Sequence, residues 1–258
     1  MLNQRRKKIL EYVISEYTKT AEPISSKYLI EKYDFNISPA TMRNELAFLE
    51  KKGLLYQPHT SSGRIPTDKA YRFFVQSIMR NRELPLKEQL AIQTELYKLK
   101  AQHKRLAKTA AKLLAAFSRN LAISGIIEDE QYFQSGIKEL LSQPEFKNAD
   151  EICQTIEVLD YLDDNIENLS KGLKHGEIKT LIGEENPLVK NQGCSLVVSR
   201  LKLPQGQNGV VAILGPKRMQ YAKNISLISY LSKIFKNKTL SLMFVTITSN
   251  YLFIHVSH

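Results

Sequence analysis

The chain has 258 residues, of which 43% are hydrophobic and 24% are charged. This composition excludes collagen-like and wholly disordered chains, and the length favours two domains. The net charge is +11, divided as +7 in residues 1–82, +5 in residues 83–120 and −1 in residues 121–258. The excess positive charge favours a polyanionic partner for the first 120 residues, without separating DNA from RNA or a membrane surface.

Cysteine usage and hydropathy limit the cellular setting. Cys153 and Cys194 lie 41 residues apart, with no CxxC pair and no histidine at ligand spacing. Neither a disulfide framework nor a zinc module is therefore predicted. Glu11 and Glu16 interrupt any apolar core of a signal peptide, and no stretch approaches about 18 uncharged apolar residues. We expect a cytoplasmic protein that is neither secreted nor membrane-spanning.

Three helices are predicted before residue 53. Apolar side chains in residues 4–18 follow the 3.6-residue period and come after a cluster of four basic residues. Ser25 is typical of the N-cap of a short second helix. Ser38 caps a third helix that has Pro39 in its first position and ends at Gly53.

The third helix has the composition of a DNA-recognition helix. Met42, Leu46 and Leu49 form its inward stripe. The remaining small or hydrogen-bonding side chains lie off that face: Ala40, Thr41, Arg43, Asn44 and Ala47. Small residues allow close approach to the major groove, and Arg and Asn can form bidentate bonds to guanine and adenine. An ordinary solvated helix face also fits this composition.

A β-hairpin is predicted after the third helix, and three helices followed by a hairpin indicate a winged helix. The strand 54–56 leads into a turn at Ser62 and Gly63. Arg64 could reach a minor groove, and His59 suits a hydrogen-bonded structural role better than a base contact. Hydroxyls suited to phosphate oxygens belong to Thr60, Ser61 and Ser62.

Two blocks of sequence carry a family resemblance. The first contains SPATMRNEL at 38–46, QPHTSSGRIPT at 57–67 and YRFFV at 71–75. The second contains Ser135-Gly136, LLSQPEF at 140–146, IGEENP at 182–187, and LGP at 214–216 with Met219 and Tyr221. Together these runs resemble the HrcA family of bacterial heat-inducible transcription repressors.

The resemblance implies a cytoplasmic repressor of chaperone operons that is inactivated when heat diverts a GroEL-type chaperonin. It would bind an inverted-repeat operator in double-stranded DNA, and such an operator demands a homodimer. Phosphate contacts are expected from the N-terminal cations and the wing, and base contacts from the third helix. The expected DNA-binding set is Arg5, Arg6, Lys7, Ser25, Lys27, Ser38, Ala40, Thr41, Arg43, Asn44, His59, Thr60, Ser61, Ser62 and Arg64.

Residues 83–122 predict one long connector helix. No helix breaker occurs between Leu86 and Leu121, and apolar positions repeat at alternating steps of four and three. Both a dimeric coiled coil and a helix packed on its own C-terminal domain fit this pattern. The seam consists of Ile92, Leu96, Leu99, His103, Leu106, Ala110, Leu113 and Phe117.

Residues 123–258 show a mixed α/β pattern, and the resemblance implies a GAF-like regulatory domain here. Strands are predicted at 178–182, 195–203 and 209–214, and helices at 134–141, 150–170 and 219–235. Family members are longer, so we expect the opening strands of the sheet and the inserted dimerisation region to be missing. A C-terminal hairpin at 240–257 is predicted to take the place of those strands. The whole chain is thus predicted to be α+β, with the winged helix in residues 1–82.

No catalytic constellation is visible. The histidines are scattered, neither HExxH nor GxSxG occurs, and Walker or Rossmann spacing is absent. Acidic residues at 160, 163, 164 and 167 suit a solvated helix face better than a metal site. We expect no enzyme activity, cofactor or metal. Two other functions also fit: a basic nucleic-acid-binding protein without operator specificity, and a ligand-sensing winged-helix regulator.

Overall fold

The structure is a computed structural model that describes residues 2–59, 62–79, 83–97, 103–146, 161, 165–185, 193–203 and 206–236. Its N-terminal module contains three helices, a two-stranded sheet and a short fourth helix. These elements are α1 Gln4–Thr20, α2 Ser26–Lys32, α3 Pro39–Lys51, β1 Leu55–Tyr56, β2 Ile65–Pro66 and α4 Asp68–Phe73, which continues into a π-helical turn at Phe74–Ile78. Because β1 and β2 pair antiparallel, the predicted winged helix is confirmed.

Side-chain caps define the three N-terminal helices. Asn3 accepts a hydrogen bond from the amide of Arg6, and Ser25 caps α2 in the same way. The Ser38 hydroxyl accepts from the amide of Thr41, 3.1 Å away, and Pro39 fills the first helical position. The predicted starts of α2 and α3 are therefore confirmed, because their capping signals are local.

The connector is two helices rather than one straight helix. These are α5 Leu86–Tyr97 and α6 His103–Ser118, and they contact each other. In a straight helix their nearest ends would be separated by about 9 Å along the axis, too far to pack. The two helices are therefore not collinear, which corrects the prediction of one long straight helix.

The packing of the connector also decides between the two predicted roles. The seam residues Ile92, Leu96, Leu106 and Ala110 are fully buried within this single chain. They pack against the C-terminal domain, so the structure favours the intrachain connector over a dimeric coiled coil.

A five-stranded antiparallel sheet forms the C-terminal domain. Its strands lie in the order β4-β3-β7-β6-β5. They are β3 Leu121–Ile126, β4 Gln131–Ser135, β5 Ile178–Ile182, β6 Cys194–Lys202 and β7 Asn208–Pro216. Helix α7 spans Ile137–Leu141, α8 spans Tyr221–Lys236, and residues 165–170 are also helical. Short 3-10 turns occupy Pro144–Phe146 and Gly183–Glu185.

Both faces of the sheet are covered, so its central strands are apolar on both sides. Along β6, Val197 and Leu201 face the core shared with α6, α8 and the winged helix. Leu196 and Val198 face a second core that includes Phe146. Double burial explains why these strands have continuous rather than alternating hydrophobic sequences.

Two predictions for this domain are wrong. The strands β3 and β4 exist, and β3 lies between β4 and β7, so the opening strands of the sheet are not missing. The predicted helix at 134–141 begins only at Ile137, because residues 131–135 pair with β3. The predicted hairpin at 240–257 and most of the predicted helix at 150–170 lie outside the described residues. The GAF-like assignment stays a prediction.

Candidate nucleic-acid interface

Helix α3 is buried on one side and open on the other. Met42, Leu46 and Leu49 are buried in the core of the module. The opposite face consists of the exposed residues Ala40, Arg43, Asn44 and Ala47, with Thr41 half-buried beside them. These exposed residues follow the helical spacing of three and four, so they form one continuous surface.

Two predicted phosphate ligands instead hold α1 against α3. The Nε atoms of Arg5 and Arg6 donate to the two carboxylate oxygens of Glu45 at 3.1 and 2.6 Å. The Glu45 side chain is only 6% exposed. The Arg6 guanidinium also lies 3.5 Å from the centroid of the Phe48 ring. The sequence predicted these two cations but gave no sign of their partner.

The other predicted phosphate ligands of the N-terminal helices differ in the hydrogen bonds and ion pairs that they already form. Lys7 is half-buried and forms no ion pair within the described residues. Lys27 is 84% exposed and lies 3.8 Å from the Glu31 carboxylate, a distance at which a surface pair holds the side chain weakly. The Ser25 hydroxyl is already used as the cap of α2. Lys7 and Lys27 are thus the cations here that are most available to a phosphate.

The wing contains a tightly hydrogen-bonded turn. The Ser62 hydroxyl donates to the carbonyl oxygen of His59 at 2.7 Å and accepts from the amide of His59 at 3.0 Å. The Gln57 amide also donates to the Ser62 carbonyl. Ser62 therefore stabilises the turn, and Thr60 and Ser61 lie outside the described residues.

Gly63 and Arg64 have roles other than those predicted. A Cβ atom at Gly63 would lie 2.4 Å from the backbone of Ile24, so glycine is required by close chain packing rather than by the turn. The amides and carbonyls of Arg64 and Ile24 bond reciprocally at 2.8 and 3.0 Å. The Arg64 side chain donates to Glu50 at 2.9 Å and is only 19% exposed. Arg64 thus fixes the base of the wing to α3 and does not extend from its tip.

The buried carboxylate of Glu16, which was not among the predicted site residues, joins α1 to α2. Glu16 is fully buried, and it accepts hydrogen bonds from Lys19 and Tyr33, both at 2.7 Å. It also accepts from Tyr28 and Lys32, both at 2.5 Å. Burial opposes its ionisation, but these four donors outweigh burial and hold the pKa of Glu16 far below its ordinary value of 4.5.

Polar contacts also dock the winged helix on the sheet domain. The Arg218 guanidinium donates to the carbonyl of Thr18 at 2.7 Å, to Gln143 at 2.8 Å and to the Glu145 carboxylate at 2.6 Å. In addition, Arg72 pairs with Glu185, and Lys217 with Asp68. Gln143, Glu145 and Glu185 belong to the second block of the resemblance, whose structural role the sequence did not reveal.

The aromatic pair Tyr71 and Tyr221 completes this contact. Their ring centroids are 5.8 Å apart, and both side chains are almost fully buried. Burial raises the pKa of both phenols. The winged-helix module is therefore held on the sheet domain by apolar as well as charged contacts.

Two further features bear on function. Among the described residues, no cluster of His, Cys, Asp or Glu side chains is suited to hold a metal ion. In the same part of the chain, no helix combines the length and apolar character needed to cross a membrane.

The fold and the surface of α3 define a class of protein. A three-helix module with an antiparallel wing, an open Arg- and Asn-bearing helix face and a net charge of +7 is a winged-helix DNA-binding module. Arg218, Arg72 and Lys217 dock this module on a separate sheet domain.

Comparison with known proteins identifies the family. A model of the winged helix-turn-helix DNA-binding domain of the transcription repressor HrcA matches residues 1–79. A model of the HrcA C-terminal domain matches residues 71–225. The chain therefore belongs to the HrcA family of heat-inducible transcription repressors, which are regulators and not enzymes.

Individual relatives agree with this assignment. The HrcA repressor of Natranaerobius thermophilus is 28% identical over 331 residues, covering 90% of this chain and 95% of the relative. That of Chloroflexus aggregans is 25% identical over 347 residues, with 92% of each chain covered. Because these alignments are longer than 258 residues, both relatives contain inserted residues that this chain lacks.

Two further matches differ in extent. The HrcA repressor of Roseiflexus castenholzii is 39% identical over 122 residues, covering 47% of this chain and 34% of the relative. A crystal structure at 2.2 Å described as a hypothetical protein superposes with a TM-score of 0.67 and 20% identity, covering 91% of this chain and 99% of its own. This structure shares the fold.

Proposed function

We propose that the protein represses chaperone operons by binding an inverted-repeat operator as a homodimer in the cytoplasm. The observation that carries this proposal is the open face of α3, where Ala40 allows close approach and Arg43 and Asn44 are exposed. Arg can bond bidentately to guanine and Asn to adenine in the major groove. These side chains would therefore set sequence preference, with Thr41 at the edge of the contact.

Phosphate contacts would set the affinity and the register. We assign them to Lys7 and Lys27, to the cap hydroxyls at the starts of α2 and α3, and to the wing turn at 59–62. Arg5, Arg6 and Arg64 are assigned a different role, because each is paired with a carboxylate of α3. They would hold α3 at the angle that the groove requires.

Family membership and operator symmetry support the proposed dimerisation and heat regulation. An inverted repeat presents two identical half-sites, and a two-fold dimer places one α3 helix in each. The dimer would form without the residues inserted in longer relatives. A requirement for a GroEL-type chaperonin would couple repression to heat, because heating diverts the chaperonin to other clients.

The test is binding of the purified full chain to a chaperone-operator duplex and to a scrambled duplex at one stated salt concentration, with and without chaperonin. We expect a preference of about a thousandfold or more for the operator. We also expect a larger active fraction when chaperonin is present. Equal weak binding to both duplexes would contradict a sequence-specific repressor.

Two substitutions separate base contacts from phosphate contacts. Arg43→Ala should weaken operator binding by about 1–3 kcal/mol and relax specificity. Lys7→Ala should weaken binding to both duplexes equally and reduce the salt slope by about 1. Equal losses on both duplexes for Arg43→Ala would refute the assigned role of α3.

A further inference from the structure

A positively charged cleft lies where the end of α1 meets the sheet domain. Its volume is about 440 Å³, within the range of small-molecule sites. Elements from both domains line it, so an occupant would touch the DNA-binding module and the sheet domain together. The lining residues that matter to the argument are Lys19 of α1, Phe117 and Arg119 at the end of α6, and Arg218, Met219 and Lys223 at the start of α8.

Within the part of the chain that the structure describes, the charged residues that line the cleft are all cations. Lys19, Lys223 and Arg218 have carboxylate partners at 2.7, 3.3 and 2.6 Å, but none of those carboxylates is part of the lining. Arg119 is exposed and forms no ion pair within the described residues. The cleft therefore has a positive potential, and one guanidinium in it is uncommitted.

The backbone around the cleft adds to this potential and shows local strain. Arg119 has a φ of +56°, a left-handed conformation that non-glycine residues seldom adopt. This conformation directs the chain from α6 into β3 at the edge of the cleft. The first turn of the 16-residue helix α8 has no acidic side chain, so the positive end of its dipole is not neutralised there.

We propose that this cleft binds a small phosphorylated metabolite. The uncommitted, planar Arg119 guanidinium is able to bind phosphate oxygens bidentately, and the three carboxylate-paired cations of the lining lie in the same cleft. The Phe117 ring and Met219 provide apolar surface for the organic part of the ligand. Because Lys19 belongs to the DNA-binding module, a bound ligand would strengthen the docking that Arg218 already provides.

The test is isothermal titration calorimetry of the full chain at constant ionic strength with three probes: ribose 5-phosphate, inorganic phosphate and ribose. We expect one ribose 5-phosphate per chain, weaker binding of inorganic phosphate and no binding of ribose. Equal affinity for the two phosphates would overturn the assignment to a metabolite. Absence of binding by both would overturn the site itself.

Variants locate the binding. Arg119→Asn removes the charge and keeps a residue type that tolerates positive φ, and Lys223→Gln removes a second charge. Each should weaken ribose 5-phosphate binding by about tenfold or more, since a charged hydrogen bond is lost. The matched control Lys179→Gln, at an exposed position on β5, should leave binding unchanged.

A fourth variant separates this cleft from the DNA-binding surface. If anions merely bind the face of α3, Arg43→Gln will abolish binding of ribose 5-phosphate and Arg119→Asn will not, which would overturn the proposal. Weaker binding of ribose 5-phosphate by Arg119→Asn, with unchanged binding by Arg43→Gln, supports the proposal. Far-ultraviolet circular dichroism of each variant shows whether its fold is intact. If one of the two cleft variants, Arg119→Asn or Lys223→Gln, misfolds, the other still tests the site.

Discussion

Replacing Glu16 with glutamine tests the buried ionic cluster that joins α1 to α2. The carboxylate is fully buried and accepts four hydrogen bonds of 2.5 to 2.7 Å. Glutamine keeps one acceptor oxygen but presents an NH₂ group to two of the four donors. The side chains of Lys19 and Lys32 are 59% and 43% exposed, so their ammonium groups can return to water. The net cost should therefore be near that of one charge-assisted hydrogen bond, about 2 kcal/mol.

The stability lost in Glu16→Gln should be larger at neutral pH than at acidic pH. Because the pKa of Glu16 is lowered in the folded protein, ionised Glu16 contributes stability above its unfolded value, about 4.3, and loses it as the pH falls towards the folded value. The difference between the wild-type protein and Glu16→Gln should be largest at pH 7. It should shrink progressively between about pH 4.5 and pH 3.

Urea unfolding of the full chain at pH 7, 4 and 3 measures this difference. Circular dichroism is the suitable probe because the chain has no tryptophan. The control is Glu11→Gln, an exposed position on the same helix, which should change the midpoint little at any of these pH values. A stability difference for Glu16→Gln that does not change with pH would refute the ionic explanation.

Three further substitutions test the packing around the interface. Arg218→Met should lower the free energy of unfolding by about 2–3 kcal/mol and make the contact between the winged helix and the sheet domain accessible to limited proteolysis, because the guanidinium is almost fully buried. A protease pattern identical to the wild type would contradict this. Leu49→Ala should cost about 2–5 kcal/mol in urea unfolding, since Leu49 is fully buried, and a smaller loss would mean that the cavity collapses. In a Cys153→Ser background, Cys194 should not react with a thiol reagent at pH 8 until urea is added, because burial raises its pKa to about 12. Reaction of the folded protein would show that β6 opens locally.

The sequence predicted those features whose determinants lie within a few residues of one another. Helix α3 begins at Pro39 because Ser38 caps it, and both signals are adjacent in the chain. The strand β5 occupies its predicted residues 178–182, since an apolar run between turns sets its ends. The open face of α3 was likewise predictable, because helical periodicity alone places Asn44 on the opposite side from Met42 and Leu46.

Features that depend on distant partners could not be predicted. Arg72 and Glu185 are 113 residues apart in sequence, and neither is marked by a local pattern. The strand β3 follows α6 directly and contains Gly125, which weakens a strand signal. In the structure the Tyr132 ring lies against Gly125 from the neighbouring strand, and this contact supplies the packing that glycine lacks.

The number of basic residues in the N-terminal module overstates its capacity to bind phosphates. Arg5 and Arg6 share the nearly buried carboxylate of Glu45, and a phosphate could recruit them only by leaving that carboxylate unpaired. Such a loss costs more than an exposed phosphate contact provides. The salt dependence of DNA binding is therefore expected to follow the less engaged cations, such as Lys7 and Lys27. Substituting Arg6 would instead weaken DNA binding by displacing α3 relative to α1.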